Sequence, residues 1–274
     1  MSRFSAFARQ MPLSGRIGLG LVLFWLAVAI VGPLLAPYPV GAFVDYEVFS
    51  GLSSRFLLGS DYLGRDVLSR LLWGARYTVF LGAGAALLAS MTGTALALTA
   101  SVRGGWVDEV LSRAMDTLIS IPSKIFALVM VAAFGSSLGL LLAITAITYV
   151  PGNFRIARAL AMNIVALDFV TVARARGEGA VHIALREVLP NMLHPLLADF
   201  GLRFVFIVLL LSGLSFLGLG VQPPHADLGS LVRENISGIT EGAPAIIVPA
   251  IAIATLTVGA NLLIDALKPV ENKA

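Results

Sequence analysis

Apolar and polar positions in this chain segregate into long uncharged runs separated by short charged ones, with little alternation at short range. Residues 17–35 carry no charge and match the roughly 20 residues that a helix needs to cross a bilayer. Residues 77–102 form a second run, in which Gly82, Gly84, Ala85, Ala86, Gly93 and Ala97 permit close helix approach in lipid. Residues 204–220 and 242–264 form two more, the last with Pro249 as a kink candidate. Between them, the uncharged stretch 125–154 is too long for one untilted span and too short for two spans with a turn.

The positions of the arginines decide that stretch. If the second span ends on the cytoplasmic side at Arg103, a single further crossing puts Arg155, Arg158, Arg174, Arg176 and Arg186 outside, against the positive-inside rule. Two spans are therefore expected, turning near Gly135-Ser136-Ser137. The third begins near Leu111 and includes Asp116, Lys124 and Pro122, the proline as a kink. The fourth runs from about Leu138 into Arg155 and Arg158. Arg3, Arg9 and Arg16, with no acids among them, favour a cytoplasmic amino end. The first run is long for a signal peptide and is followed by a poor cleavage site, so an uncleaved span is expected. The expected fold class is all-α: a polytopic membrane protein of six transmembrane helices with both ends inside. It divides into residues 1–76, a span plus an external loop, and residues 77–274, a five-span core.

Two polar segments have organisation of their own. In the external loop a helix is expected to start at or just before Asp66, with Val67, Leu68, Leu71 and Leu72 as an apolar stripe lying along the membrane face. The other segment, residues 169–191, reads FVTVARARGEGAVHIALREVLPN and falls within a cytoplasmic loop at about 165–191. Its first helix ends at Gly177, the residue that most readily takes a left-handed C-cap, with Arg174 and Arg176 in the last turn. A second short helix places Val181, Leu185, Val188 and Leu189 on one face, and Pro190 disfavours helix at Leu189 and kinks or restarts the chain. A charged knob of this kind between membrane spans lies in water and suits contact with another protein. The plainer alternative is a loop that only keeps arginines out of lipid.

Composition narrows the function. The chain has 274 residues, 58% of them hydrophobic and 13% charged, with a mean hydropathy of +0.90, which excludes an ordinary soluble domain. The net charge of +3 fits membrane orientation and gives no reason to expect nucleic acid as a partner. The absence of cysteine excludes disulfides and thiolate metal sites, and His182, His194 and His225 show no metal-ligand spacing. With no phosphate-cradling G-x-x-x-x-G-K-[ST] run, nucleotide hydrolysis has to come from another chain. Charge inside the expected spans is almost absent. Asp116 and Lys124, with Pro122, are therefore the candidates for a pathway or gating role. The alternative is that Lys124 snorkels to the interface while Asp116 pairs with Arg113 or Lys124.

Three separated motifs carry a resemblance to a family. Ala173, Gly177 and Leu189-Pro190 have the spacing of the cytoplasmic "EAA" loop of permease subunits in bacterial binding-protein-dependent ABC importers, with Thr171 in place of the usual Glu and Val172 in place of Ala. Gly59, Asp61, Leu63-Gly64-Arg65-Asp66, Ser69-Arg70 and Gly74-Ala75-Arg76 are similar to the segment before the second span of dipeptide and oligopeptide permeases. Residues 214–221, LSFLGLGV, resemble the same group near the end of the fifth span. Departures are Leu228-Gly229 for a usual Trp-Gly, Ile264 for a Gly before Asp265, and the missing Asp-Pro-Arg segment near the carboxyl end.

The resemblance, from about Gly59 to Asp265, implies the type I importer permease fold, of the second-permease type in the dipeptide, oligopeptide or nickel group, in the bacterial inner membrane. It implies an ATPase-coupling loop at Ala173, Arg174, Arg176, Gly177, Glu178, Arg186, Leu189 and Pro190. It further implies a second, non-identical permease, two ATP-binding subunits that hold ATP and Mg, and an extracytoplasmic substrate-binding protein. No cofactor, metal or catalytic residue is expected in this chain. No residue distinguishes peptide from nickel as cargo. A self-sufficient secondary carrier and a non-transporting scaffold are the alternatives from other classes; the first is expected to show mid-membrane charge and repeated halves.

Overall fold

The computed structural model describes residues 11–44 and 47–267; Arg3, Arg9 and Asp45 lie outside them. The described residues are mostly helical, with no strand among them. Helix α1 spans Leu13–Leu35, α2 Val67–Arg103, α3 Gly105–Ile119, α4 Ser123–Phe134, α5 Leu138–Val165 and α6 Asp168–Ala175. Helix α7 is Ala180–Phe216, with a π turn at Ile183–Val188 inside it. Helix α8, Leu228–Glu234, and a 3-10 turn, Ile236–Ile239, precede α9, Pro244–Leu267. Five of these helices (α1, α2, α5, α7 and α9) are long and apolar enough to cross a membrane, and the bent pair α3–α4, counted as one broken span, brings the number to six.

Small residues bring the spans together. Helix α2 buries Gly82, Ala85, Ala86, Ala89, Gly93 and Ala97 against its neighbours, and a Cβ on Gly93 would lie 2.4 Å from Asn153 Oδ1 and 2.9 Å from the Val150 carbonyl of α5. Lipid offers no hydrophobic drive between helices, so this close backbone approach replaces it with dispersion and packing. Helices α1 and α9 pack in the same way through Gly18 and Gly259, and Trp25 Nε1 donates to Thr255 Oγ1 at 3.0 Å.

The segment expected as a separate surface helix is the start of α2. Its first turns do not lie along the membrane: Val67, Leu71 and Ala75 are buried against Trp25, Leu228 and Leu231. Asp66 caps the helix by accepting from Ser69 N at 2.8 Å and Ser69 Oγ at 2.6 Å. With 37 residues, α2 is about 55 Å long, well beyond the ~30 Å hydrocarbon core, so one end projects from it.

The third span is also corrected. Instead of one helix kinked at Pro122, it is two helices meeting at 83°. Proline disfavours helix at Ile121 and brings no N–H of its own, so the chain leaves α3 at Ser120 and restarts with Pro122 as the N-cap residue of α4. Gly135, at φ +96°, ends α4, and Ser137 caps α5, which places the turn where the sequence puts it. Nor does Pro190 restart the chain. Leu189 N bonds back to the Ala184 carbonyl, and this widened turn lets the helix run on through the proline.

At the end of the bundle away from α6, the resembling motifs close on one another. Arg65 Nε lies 2.7 Å from Asp61 Oδ2, and Arg65 Nη2 2.8 Å from Glu234 Oε2. Arg70 Nη1 is 2.8 Å from both Asp61 Oδ2 and Glu234 Oε2. All four side chains are buried, so the long loop is fastened to the segment that follows α7 by alternating charges. Ser215 donates to Asp227, which also caps α8 through Ser230 N at 2.7 Å. Burial raises the Asp227 carboxyl above its ordinary value, against the hydrogen bonds from Ser215 and Ser230 that lower it.

This network yields a stability prediction. Arg70→Met leaves two buried carboxylates sharing one guanidinium, and breaking a buried pair in this way costs about 3–5 kcal/mol. Arg113→Met removes an exposed pair with Glu109, worth about 0–1 kcal/mol. The thermal midpoint of the purified protein in detergent is expected to drop clearly for the first variant and stay near wild type for the second. Equal midpoints would dismiss the network as a fastening.

Candidate functional site

Two sites are built on this frame: a knob at one end of the bundle and a cavity at the α3–α4 elbow. The knob is α6 with the start of α7. Val170 and Ala173 are fully buried, in a cluster with Ile183, Val188 and Met192 from α7, Ala97 and Val102 from α2, and Phe154 and Ala157 from α5. Arg174 Nη2 donates to the Val102 carbonyl at 3.2 Å, tying the knob to the end of α2.

Gly177 has φ +81°. Its N–H bonds the Arg174 carbonyl at 3.0 Å and the Glu178 N–H bonds the Ala173 carbonyl at 3.2 Å, the paired bonds of a Schellman C-cap. Glu178 then receives Arg176 Nη2 at 2.7 Å and lies 3.4 Å from His182 Nε2. Arg174, Arg176, Arg186 and Pro190 are exposed, and Leu189 is half-buried.

One expectation about the knob fails. Val181 and Leu185 do not share a buried face with Val188; they are 68% and 52% exposed. The π turn inserts an extra residue per turn, so Ile183 and Val188 take the inward positions. Phe169, Val172, Val181 and Leu185 are left as an apolar outer surface among the arginines. Thr171 and Val172, the two departures from the EAA pattern, are both on that exposed side, whereas the matching Ala173 is buried.

The cavity lies in the angle between α3 and α4, walled by α5 and α7, and has a volume of about 480 Å³. Ile121 and Ser123, on either side of Pro122, contribute to its wall with Phe126, Tyr149, Arg155 and Arg203. A smaller neighbouring cavity of about 220 Å³ is lined by Asp116, Arg155 and Arg158. Asp116 pairs with neither Arg113 nor Lys124: its partner is Arg155 on α5, at 2.8 Å, and Arg113 pairs with Glu109 instead. Asp108 forms a bidentate pair with Arg158, so α3 is held to α5 by two ion pairs. Lys124 is exposed on α4 and lines neither cavity.

The expectation that the spans hold almost no charge is also corrected. Asp199 and Arg203 lie inside α7 and are 5% and 8% exposed. Arg203 donates to Asp199 through Nε and Nη2, both at 2.9 Å, and Asn153 Nδ2 on α5 donates to the same carboxylate at 2.7 Å. Sequence reading missed this triad because it begins the fifth span at Phe204, which leaves both charges in the loop. The signal was present: an acid and an arginine four residues apart share a helix face.

Comparison with known proteins agrees with this architecture. Residues 89–270 match the family "Binding-protein-dependent transport system inner membrane component". The chain is 33% identical over 248 residues to the glutathione transport system permease protein GsiD of Pectobacterium atrosepticum, covering 90% of this chain and 82% of that protein. It is 30% identical over 258 residues to the dipeptide transport system permease protein DppC of Haemophilus influenzae, covering 92% and 88%. It is 33% identical over 259 residues to the di/tripeptide permease DppC of Pseudomonas aeruginosa, covering 91% and 86%. With the helical bundle, the bent third span and the knob before the last two spans in place, the chain belongs to the family of inner-membrane permease components of binding-protein-dependent transport systems.

Proposed function

We propose that this chain is one of two non-identical permease subunits in an ATP-driven importer of di- or oligopeptides or related small solutes. The relatives named for dipeptide, di/tripeptide and glutathione transport support peptide-like cargo over nickel. Its partners are the second permease, two ATP-binding subunits carrying ATP and Mg, and an extracytoplasmic substrate-binding protein. The chain itself does no covalent chemistry and needs no cofactor. Both ends and the knob face the cytoplasm, the side that the arginines favour.

The observation that carries the coupling part is the shape of the knob. Its inner side is packed on the ends of α2 and α5, its outer side exposes Val172, Val181 and Leu185 among arginines, and its second helix continues unbroken into α7. Ala173, Leu189 and Gly177 set its shape, and Arg174, Arg176, Glu178, Arg186 and Pro190 form the surface an ATPase meets. Closure of the ATPase dimer then moves the knob as a body, and α7 with it, opening the pathway alternately to each side. Asp116 and Pro122 serve the pathway through the elbow, Asp116 as the tie to Arg155 and Pro122 as its corner. Lys124 sits beside that corner.

Two outcomes are expected. Gly177→Val places a β-branched residue at positive φ, a penalty of about 1–2 kcal/mol, in open space where no side chain clashes. Membrane levels should match wild type, while peptide uptake, recovery of the ATPase subunits with the tagged chain, or both should fall. Wild-type uptake with wild-type assembly would defeat the lever. The second outcome concerns nucleotide. The tagged chain purified from native membranes should bring ATPase subunits with it, and the isolated chain should bind no ATP in equilibrium dialysis; saturable binding by the chain alone would contradict the division of labour.

A further inference from the structure

The elbow cavity carries an asymmetry of charge. Its wall includes two guanidiniums, Arg155 and Arg203, and no carboxylate. The compensating acids stand elsewhere: Asp116 on the neighbouring cavity, and Asp199 behind Arg203, held by Arg203 and Asn153. Arg203 is thus paid for electrostatically from the protein side. Its Nη1, which has no part in the bonds to Asp199, reaches the wall at Gly152; a Cβ there would stand 2.7 Å from it. The rest of the wall is mainly apolar or aromatic, including Leu118, Ile119, Phe126 and Phe206, with the hydroxyl residues Ser123, Thr148 and Tyr149 among them. A volume of about 480 Å³ falls within the ~300–1,000 Å³ usual for small-molecule sites. Apolar walls with one cationic corner fit a short amphipathic molecule that ends in a carboxylate.

Resting on the peptide-permease reading above, we infer that the cavity is a transit site for peptides with a free terminal carboxylate, with Arg203 as the principal anion contact and Arg155 as the second. Guanidinium pairs with carboxylates through charge-assisted hydrogen bonds. The prior engagement of Arg203 by Asp199 keeps its charge buried without a permanent ligand, and it weakens the hold on a passing carboxylate, as transit requires. A site of this kind adds selectivity inside the permease itself, after any choice made by the binding protein.

The test uses the assembled transporter without its binding protein, in nanodiscs of neutral phosphatidylcholine so that no anionic lipid headgroup competes. Trialanine and its C-terminal amide are titrated by saturation-transfer NMR. Wild type is expected to bind the free acid roughly tenfold or more tightly than the amide, the range for hydrogen bonds to charged groups. The double variant Asp199→Asn, Arg203→Gln removes the buried charges together and should bring that ratio near one. Arg155→Gln removes the exposed pair with Asp116, of a kind worth little to stability, and leaves the Asp108–Arg158 tie between α3 and α5 in place. It should lower the ratio several-fold, and it decides the matter if the double variant does not assemble. Equal binding of acid and amide by wild type, or a ratio unchanged in the variants, overturns the inference. Trialanine uptake by the same complex with its binding protein separates the two readings. Uptake with no acid preference sinks the transit site alone, whereas absence of uptake sinks the peptide reading itself.

Discussion

Inside hydrocarbon there is no water to satisfy a polar group, and each charge or backbone donor must find its partner within the protein. The arrangement of this chain follows from that constraint. Asp199 and Arg203 lie one helical turn apart on α7 and answer each other, with Asn153 of α5 closing the group. Asp108 and Asp116 of α3 meet Arg158 and Arg155 of α5. At the end away from the knob, Asp61, Arg65, Arg70 and Glu234 alternate in sign. Each set joins segments distant in sequence and ties them together, and the small residues of α2 let its neighbours approach closely.

The same helices that satisfy these groups connect the two ends of the molecule. Helix α7 begins in the knob, carries the buried Asp199–Arg203 pair at mid-length, and ends where Ser215 donates to Asp227. One continuous helix thus joins the knob to a buried charge and to the opposite rim, and in the proposed lever it is the part that would carry the knob's movement to them. The π turn at Ile183–Val188 accommodates Pro190 without a break. A helix broken at that proline would allow the knob to swivel independently of the spans.

Much of this was legible in the sequence, and the exceptions have physical reasons. The uncharged runs and the arginine bias locate the spans, and Gly177, Gly135 and Asp66 mark helix ends because each meets a local requirement of φ or hydrogen bonding. Pro122 announces a break, but its 83° angle depends on what packs into the elbow, which local sequence does not encode. Pro190 looks like a stop because α-helical geometry has no place for it, and the widened turn that admits it has no sequence signature of its own. That turn also shifts the inward face, so Val181 and Leu185, apolar at α spacing, point outward. The Asp199–Arg203 pair was readable from its spacing and was lost by starting a span at the first long uncharged run. In the motif before α2, Asp61, Arg65 and Arg70 make sense only with Glu234, more than 160 positions away.

The central claim is that the knob and α7 move as one rigid body. The chain has no cysteine, so single spin labels can be placed without removing any. Labels at Val181 and Phe216, exposed positions near the two ends of α7, should lie about 50 Å apart at ~1.5 Å per residue. Measured by double electron–electron resonance in the assembled transporter, that distance is expected to be single and unchanged between nucleotide-free and ATP-trapped states. A shift of several ångströms, or a second distance that appears with ATP, would show that the helix bends at the π turn and contradict the lever.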